Sequence, residues 1–177
     1  MKKTLATLLI AGTFVSTSAT ETEHKHFYIA PKWIHTYGET YHNEKGDCGN
    51  GIGLDIGYYL GEGFSVEIDA TYEKTTVRAI EEESTEREDV KYLTTSFAMT
   101  YTYPLTHNIG PFLKVGYEYE REKIADETKH NTGWIYAVGV EYELNEEFKL
   151  MIEYEKSTID GPKGDMLAAG IVYSFDL

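Results

Sequence analysis

From Phe27 onward the chain alternates apolar and polar residues in run after run, and the apolar rows begin and end in aromatics. The clearest runs are 52–58, 64–72 and 134–142. Each holds a period of two for longer than the edge of a small soluble sheet usually does. A period of two sends successive side chains to opposite faces of a strand, so every run has one greasy face and one polar face. Repeated along the whole chain, this predicts an all-β fold: an eight-stranded antiparallel up-and-down transmembrane β-barrel whose apolar face looks outward at lipid.

Eight strands are expected, at about 26–38, 50–60, 64–74, 90–103, 110–121, 132–144, 148–156 and 165–176. No stretch has a convincing helical period. The connections alternate in length. Gly61-Glu62-Gly63, the segment 104–108 and Asn145-Glu146-Glu147 read as tight turns, whereas 39–49, 75–89, 122–131 and 157–164 read as longer loops rich in charge, Gly or Asn. Short turns on one side and long loops on the other are the layout of a bacterial outer-membrane barrel.

The first residues fit export. Lys2 and Lys3 precede a short apolar stretch at 5–15 and the small residues Thr17-Ser18-Ala19, so 1–19 reads as a secretory signal peptide and 20–177 as one barrel domain. The formal charge of −14 makes nucleic acid an unsuitable partner. Much of the acid lies in one connection, where Glu81, Glu82, Glu83 and Glu86 form an acidic surface loop that suits cationic or divalent-metal-bridged contacts better than polyanions. Cys48 is the only cysteine, which excludes an intramolecular disulfide.

Alternation alone also fits a soluble barrel with an apolar interior, and the polar rows decide between the two. They hold Gly51, Gly53, Gly57, Thr94, Ser96, Ala98, Thr100, Ala168 and Gly170, small residues that suit a cramped lumen. The apolar rows put Leu60, Phe64, Tyr101, Tyr103, Tyr142, Phe148, Tyr173 and Phe175 near one rim. Trp33, Tyr37, Tyr72, Tyr117, Tyr119, Trp134, Tyr136 and Tyr154 fall near the other. Two aromatic girdles separated by aliphatic residues match the two bilayer interfaces.

The end of the chain, Ala168-Ala169-Gly170-Ile171-Val172-Tyr173-Ser174-Phe175, has a glycine followed by aromatics at alternate positions. In this the chain resembles the small outer-membrane barrel superfamily typified by the OmpA transmembrane domain and OmpX-like proteins. The resemblance implies that Gly170, Tyr173 and Phe175 belong to an assembly signal read by the barrel assembly machinery. Ala168 stands where a polar residue is usual, and Asp176-Leu177 follow the aromatic that commonly ends such chains. The resemblance further implies a monomer in the outer membrane, in contact with its lipid and lipopolysaccharide. The role it implies is non-enzymatic, in envelope integrity or surface interaction through the external loops. A lipid-modifying enzyme of the outer leaflet and a narrow pore for small solutes are the alternatives.

The inward rows carry the carboxylates Asp55, Glu67, Asp69, Glu118, Glu141, Glu143, Glu153 and Glu155 against the cations Lys32, Lys114 and Lys149. A three-residue turn at 61–63 sets Asp55 opposite Asp69, a like-charge pair that Lys32 on the adjacent strand is placed to neutralise. The same reasoning sets Lys149 against Glu143. These groups read as a plug of lumen charge, not as an active site, and no catalytic, metal or cofactor residue is assigned. His42, Asp47 and Cys48 share a loop but match no zinc spacing. His130 and Ser157 form no recognisable hydrolase pattern.

Overall fold

The computed structural model describes residues 26–80, 87–125 and 127–176. The signal peptide read at 1–19 and the acidic residues Glu81, Glu82, Glu83 and Glu86 lie outside the described residues. In chain order the strands are β1 (Phe27–Gly38), β2 (Thr40–Tyr41), β3 (Glu44–Gly46), β4 (Gly49–Gly61) and β5 (Phe64–Ala79). They continue with β6 (Glu88–Thr102), β7 (Ile109–Ile124), β8 (Glu127–Glu143), β9 (Phe148–Ser157) and β10 (Lys163–Phe175). Eight of them, β1 and β4 to β10, close into a ring of antiparallel neighbours, with β10 returning to pair with β1. The short β2–β3 hairpin adds to the outer end of β5, where Lys45 faces Arg78.

Alternation translates directly into two faces. On β4, Ile52, Leu54 and Ile56 are exposed while Asp55 between them is 1 % exposed. On β1, Trp33 is 51 % exposed and Ile34 beside it is fully buried. Aliphatic residues outside and ionised residues inside invert the order of a soluble protein and suit a wall bathed in lipid.

The rings near the foot of the barrel also touch one another. Phe27 stacks on Phe175 across the β1–β10 seam at 6.1 Å, Tyr173 on Phe148 at 5.0 Å, and Phe64 meets Tyr101 at 4.7 Å. Tyr173 and Phe175 therefore sit in an aromatic chain that spans the closing seam. Gly170 faces Lys32 across the same seam, and a Cβ there would lie 2.7 Å from the Pro31 carbonyl oxygen. The seam ladder runs from Phe27 to Ile29 and resumes at Lys32. The gap contains Pro31, which has no N–H to donate.

Strand tilt staggers the ring. Phe64 at the foot of β5 shares one hydrogen-bonded row with Tyr101, Leu113, Val138 and finally Tyr154, near the outer end of β9. Each row thus climbs from one rim toward the other, as closure of a tilted sheet requires.

The outer connections are shorter than the sequence suggests. The segment 122–131, expected as a loop, is strand on both sides of residues 125–126, and β5 runs on to Ala79. Beyond the bilayer neither face has to be apolar, so the hydrophobic period fades while backbone pairing continues. The first external connection is also tied down. Glu39 donates its N–H to the Pro162 carbonyl at 3.0 Å, Gly46 to Glu39 at 2.9 Å, and Asp47 to Thr76 at 2.8 Å. At the inner turn, Gly61, Glu62 and Gly63 all have positive φ, a conformation that glycine at two of the three positions makes inexpensive.

Because closure leaves no free strand edge in the ring, the folded protein should resist sodium dodecyl sulfate until heated. Unheated and boiled samples are expected to migrate differently on a gel. Equal mobility, with extraction in the absence of detergent, would overturn the closed barrel.

Candidate functional site

The lumen is built by inward rows whose small members make space for long ones. Gly53 lies opposite Lys32, and a Cβ on it would come within 2.8 Å of the lysine Cε. A Cβ on Gly57 would fall 2.0 Å from the Tyr28 ring. Removing either hydrogen-sized position would push a large side chain out of the narrow interior.

Three layers of charge cross this interior. At mid-depth Lys32 Nζ lies 2.9 Å from Asp55, 2.6 Å from Asp69 and 3.5 Å from Glu153. Lys114 Nζ lies 2.5 Å from Glu67, 2.6 Å from Glu153 and 3.9 Å from Asp55. Two ammonium groups thus knit four carboxylates from β4, β5 and β9 into one network. Tyr28 donates a hydrogen bond to Glu67 at 2.7 Å and joins it. All these groups are almost fully buried, so each charge depends on its partners in place of water.

Nearer the inner rim, Lys149 holds Glu141 at 3.0 Å and donates to the Tyr59 hydroxyl at 3.3 Å. Glu143 is the register partner of Lys149, but the ammonium turns to Glu141 instead. The expected register of Lys149 against Glu143 is the one observed, and the ion pair is formed with the diagonal carboxylate. Both carboxylates have inward parity, and a lysine stem reaches a diagonal neighbour as readily as the residue opposite.

Toward the outer rim, Lys163 Nζ lies 3.0 Å from Glu73 and 3.1 Å from Glu120, close over the Tyr92 ring. Thr36 donates to Glu73, Tyr92 to Glu122 and Ser157 to Glu118. Of this outer layer the sequence reading has only Glu118 among its inward carboxylates. Lys163 falls in the segment 157–164 that the sequence marks as a loop; in the structure it belongs to β10, and the register shift between Thr36 and Gly38 turns it inward. The signal for the glutamates is in the sequence: Glu73 and Glu120 have inward parity within the expected strands 64–74 and 110–121, and the alternation of Glu118-Tyr119-Glu120-Arg121-Glu122-Lys123 carries the same parity on to Glu122.

Little space remains. Beside Tyr28, Asp55, Glu67, Phe112, Lys114 and Met151 the free volume is about 10 Å³, which is about one water. Tyr92, Phe112, Ile135 and Met151 fill the interior between the charged layers.

The remaining sequence candidates stay apart. Ser157 has inward parity, while His130 is exposed on the outer wall, hydrogen-bonded to Tyr119 at 2.6 Å, so the two cannot cooperate in one active site. Asp47 accepts a hydrogen bond from Thr76 at 2.9 Å, and Cys48 is an exposed free thiol. Among the described residues no three His, Cys, Asp or Glu side chains converge on a metal position.

The chain matches the family model of the outer membrane protein beta-barrel domain over residues 5–175. No curated protein matches the sequence. Among solved structures, OprG of Pseudomonas aeruginosa is similar with 15% identity and a TM-score of 0.65, over 87% of this chain and 98% of that one. Neisserial surface protein A is similar with 17% identity and a TM-score of 0.65, over 84% and 97%. Ail, the attachment invasion locus protein of Yersinia pestis, gives 17% identity and a TM-score of 0.58, over 85% and 97%, in a complex with the heparin analogue sucrose octasulfate.

Replacing Lys114 by Met leaves Glu67 and Glu153 without their main partner. It should lower folding stability in lipid bilayers by roughly 3–5 kcal/mol. Lys163→Met, near the open rim, should cost less. Urea titration of both variants in vesicles checks the order; equal small losses would mean the mid-depth network contributes little.

Proposed function

This chain belongs to the outer-membrane protein β-barrel family and resides in the outer membrane, and from that premise we propose that it acts without catalysis or conduction. Its role is to support the envelope and to present its outer segments to external partners. The observation that carries this reading is the filled lumen, with ion pairs at three depths: between non-adjacent strands at mid-depth and at the outer rim, and between the neighbouring β8 and β9 at the inner rim. Eight strands enclose only enough room for side chains, and here those side chains hold one another.

Among the described residues, those that extend past the bilayer are the β2–β3 hairpin, the β7–β8 end and the connection that carries Pro162, which backbone hydrogen bonds tie down. Sequence variation in such segments alters contacts without touching the wall. A solved barrel of this fold bears the name of an attachment and invasion protein, which agrees with a surface role. The separation of Ser157 from His130 speaks against the lipid-modifying alternative.

Purified protein in planar bilayers should give no stable large conductance steps, and a deletion strain should keep its lipid profile by mass spectrometry. Replacing residues 40–46 with a short Gly-Ser turn should leave heat-dependent gel mobility intact while weakening cell-surface contact or envelope resistance. Large conductance steps would favour the pore, and a changed lipid A would favour the enzyme.

A further inference from the structure

The outer ends of β5, β6 and β7 sort their charges by sign. On β7, Glu118, Glu120 and Glu122 are buried in the lumen, while Tyr119, Arg121 and Lys123 between them face outward. On β5, Glu73 is inside and Lys74 outside; on β6, Tyr92 is inside and Lys91 outside. The lysines are also in register. Lys74 faces Lys91, and Lys91 faces Lys123, so three cations stand side by side across three strands. One row below, Tyr72, Leu93, Arg121 and His130 are register neighbours.

Like charges directly opposite on a sheet repel and destabilise it. Among the described residues none of Lys74, Lys91, Arg121 or Lys123 has a carboxylate at ion-pair distance, although the chain carries a formal charge of −14. Lys156 on the far wall, by contrast, is paired with Asp165 at 3.3 Å. A row of cations that has no carboxylate partner among the described residues is complementary to an external anion.

Height identifies the anion. Lys74 lies ten residues beyond Phe64 of the inner girdle on the same strand. At about 3.3 Å per residue and a tilt of about 40°, that is roughly 25 Å along the membrane normal, the height of the outward apolar band. Because rows climb from β5 toward β7, Arg121 comes about level with Lys74 and Lys91, and Lys123 stands above them. The cations therefore occupy the headgroup level of the outer leaflet. Directly beneath them is an open groove of about 510 Å³ lined by Leu93, Thr95, Tyr119, Arg121, Thr128 and His130. Its wall is set by the Tyr119–His130 stack, with ring centroids 5.6 Å apart.

We propose that Lys74, Lys91, Arg121 and Lys123 bind the phosphate groups of an outer-leaflet lipopolysaccharide, with part of its acyl region seated in the groove between Leu93 and Tyr119. Arginine supplies a forked donor for one phosphate oxygen pair and the lysines supply point charges around it. The lipid in turn relieves the repulsion within the row. This deepens the envelope role proposed above and rests on the same membrane orientation, yet it can fail by itself: surface contact through the outer segments does not require this wall.

The test uses the folded full-length barrel in phosphatidylcholine nanodiscs, titrated with diphosphoryl lipid A or its dephosphorylated form and read by native mass spectrometry. Wild-type protein should bind the phosphorylated form at least tenfold more tightly. The triple variant K91Q/R121Q/K123Q should lose about fivefold per charge, of order a hundredfold in all, while Lys156→Gln on the far wall should bind as wild type. Should the triple variant lose its heat-dependent mobility, single Lys91→Gln and Arg121→Gln variants carry the comparison, and the two lipids on wild-type protein need no variant. Equal binding of both lipids, or a folded triple variant with unchanged affinity, overturns the proposal. Displacement of lipid A by an equal concentration of inorganic phosphate, or preference for a sulfated oligosaccharide over lipid A, also overturns it.

Discussion

In hydrocarbon an unpaired backbone N–H or C=O costs several kcal/mol, and the whole architecture follows from the need to leave none. A sheet meets that demand only by closing on itself. Closing eight tilted strands then fixes a radius too small for a water-filled interior, and the interior must be filled by the residues that do not face lipid. The chain fills it with Lys32, Lys114 and their four carboxylates, because an inward row bounded by water at both rims tolerates charge when each charge has a partner. Filled in this way, the interior keeps little free space, and the groups left open to the surroundings stand at the rims and on the outer wall.

Much of this could be read before any coordinates. Strand number, the outward apolar face and the two girdles are all expressed in a period of two, which side-chain direction enforces residue by residue. The inward parity of Lys32, Asp55, Asp69 and Lys114 followed from the same count, and the turn Gly61-Glu62-Gly63 carries the register from β4 to β5. Hydrophobicity stops reporting where the bilayer ends, so the expected strands stop short of the outer ends of β5 and β7 and begin inside that of β8. The register irregularity beside Gly38, which turns Lys163 inward, leaves no mark in the hydrophobic pattern. Parity says which way Lys149 points, but not which of two inward glutamates it reaches.

The alternation of acid and base on β7 shows how one backbone period serves two media. The same six residues put three carboxylates where lumen cations and hydroxyls meet them and a basic pair where the membrane surface lies. A helix could not separate the signs so cleanly, since its neighbours three and four apart share a face. The strongly acidic composition of the chain therefore gives little guide to the charge its outer wall presents.

The gap at Pro31 divides the closing seam into two zippers of different character. Below it, Phe27 to Ile29 are held to β10 by ladder bonds and stacked rings; above it, Lys32 to Thr36 are held to β10 by ladder bonds, while their side chains reach across the lumen to Asp69 and Glu73 of β5. A ring opens only when both release together, since either one alone keeps β1 beside β10. Local fraying can therefore expose the amides of one zipper while the other keeps the ring closed, so the interruption at the proline separates local opening from loss of closure.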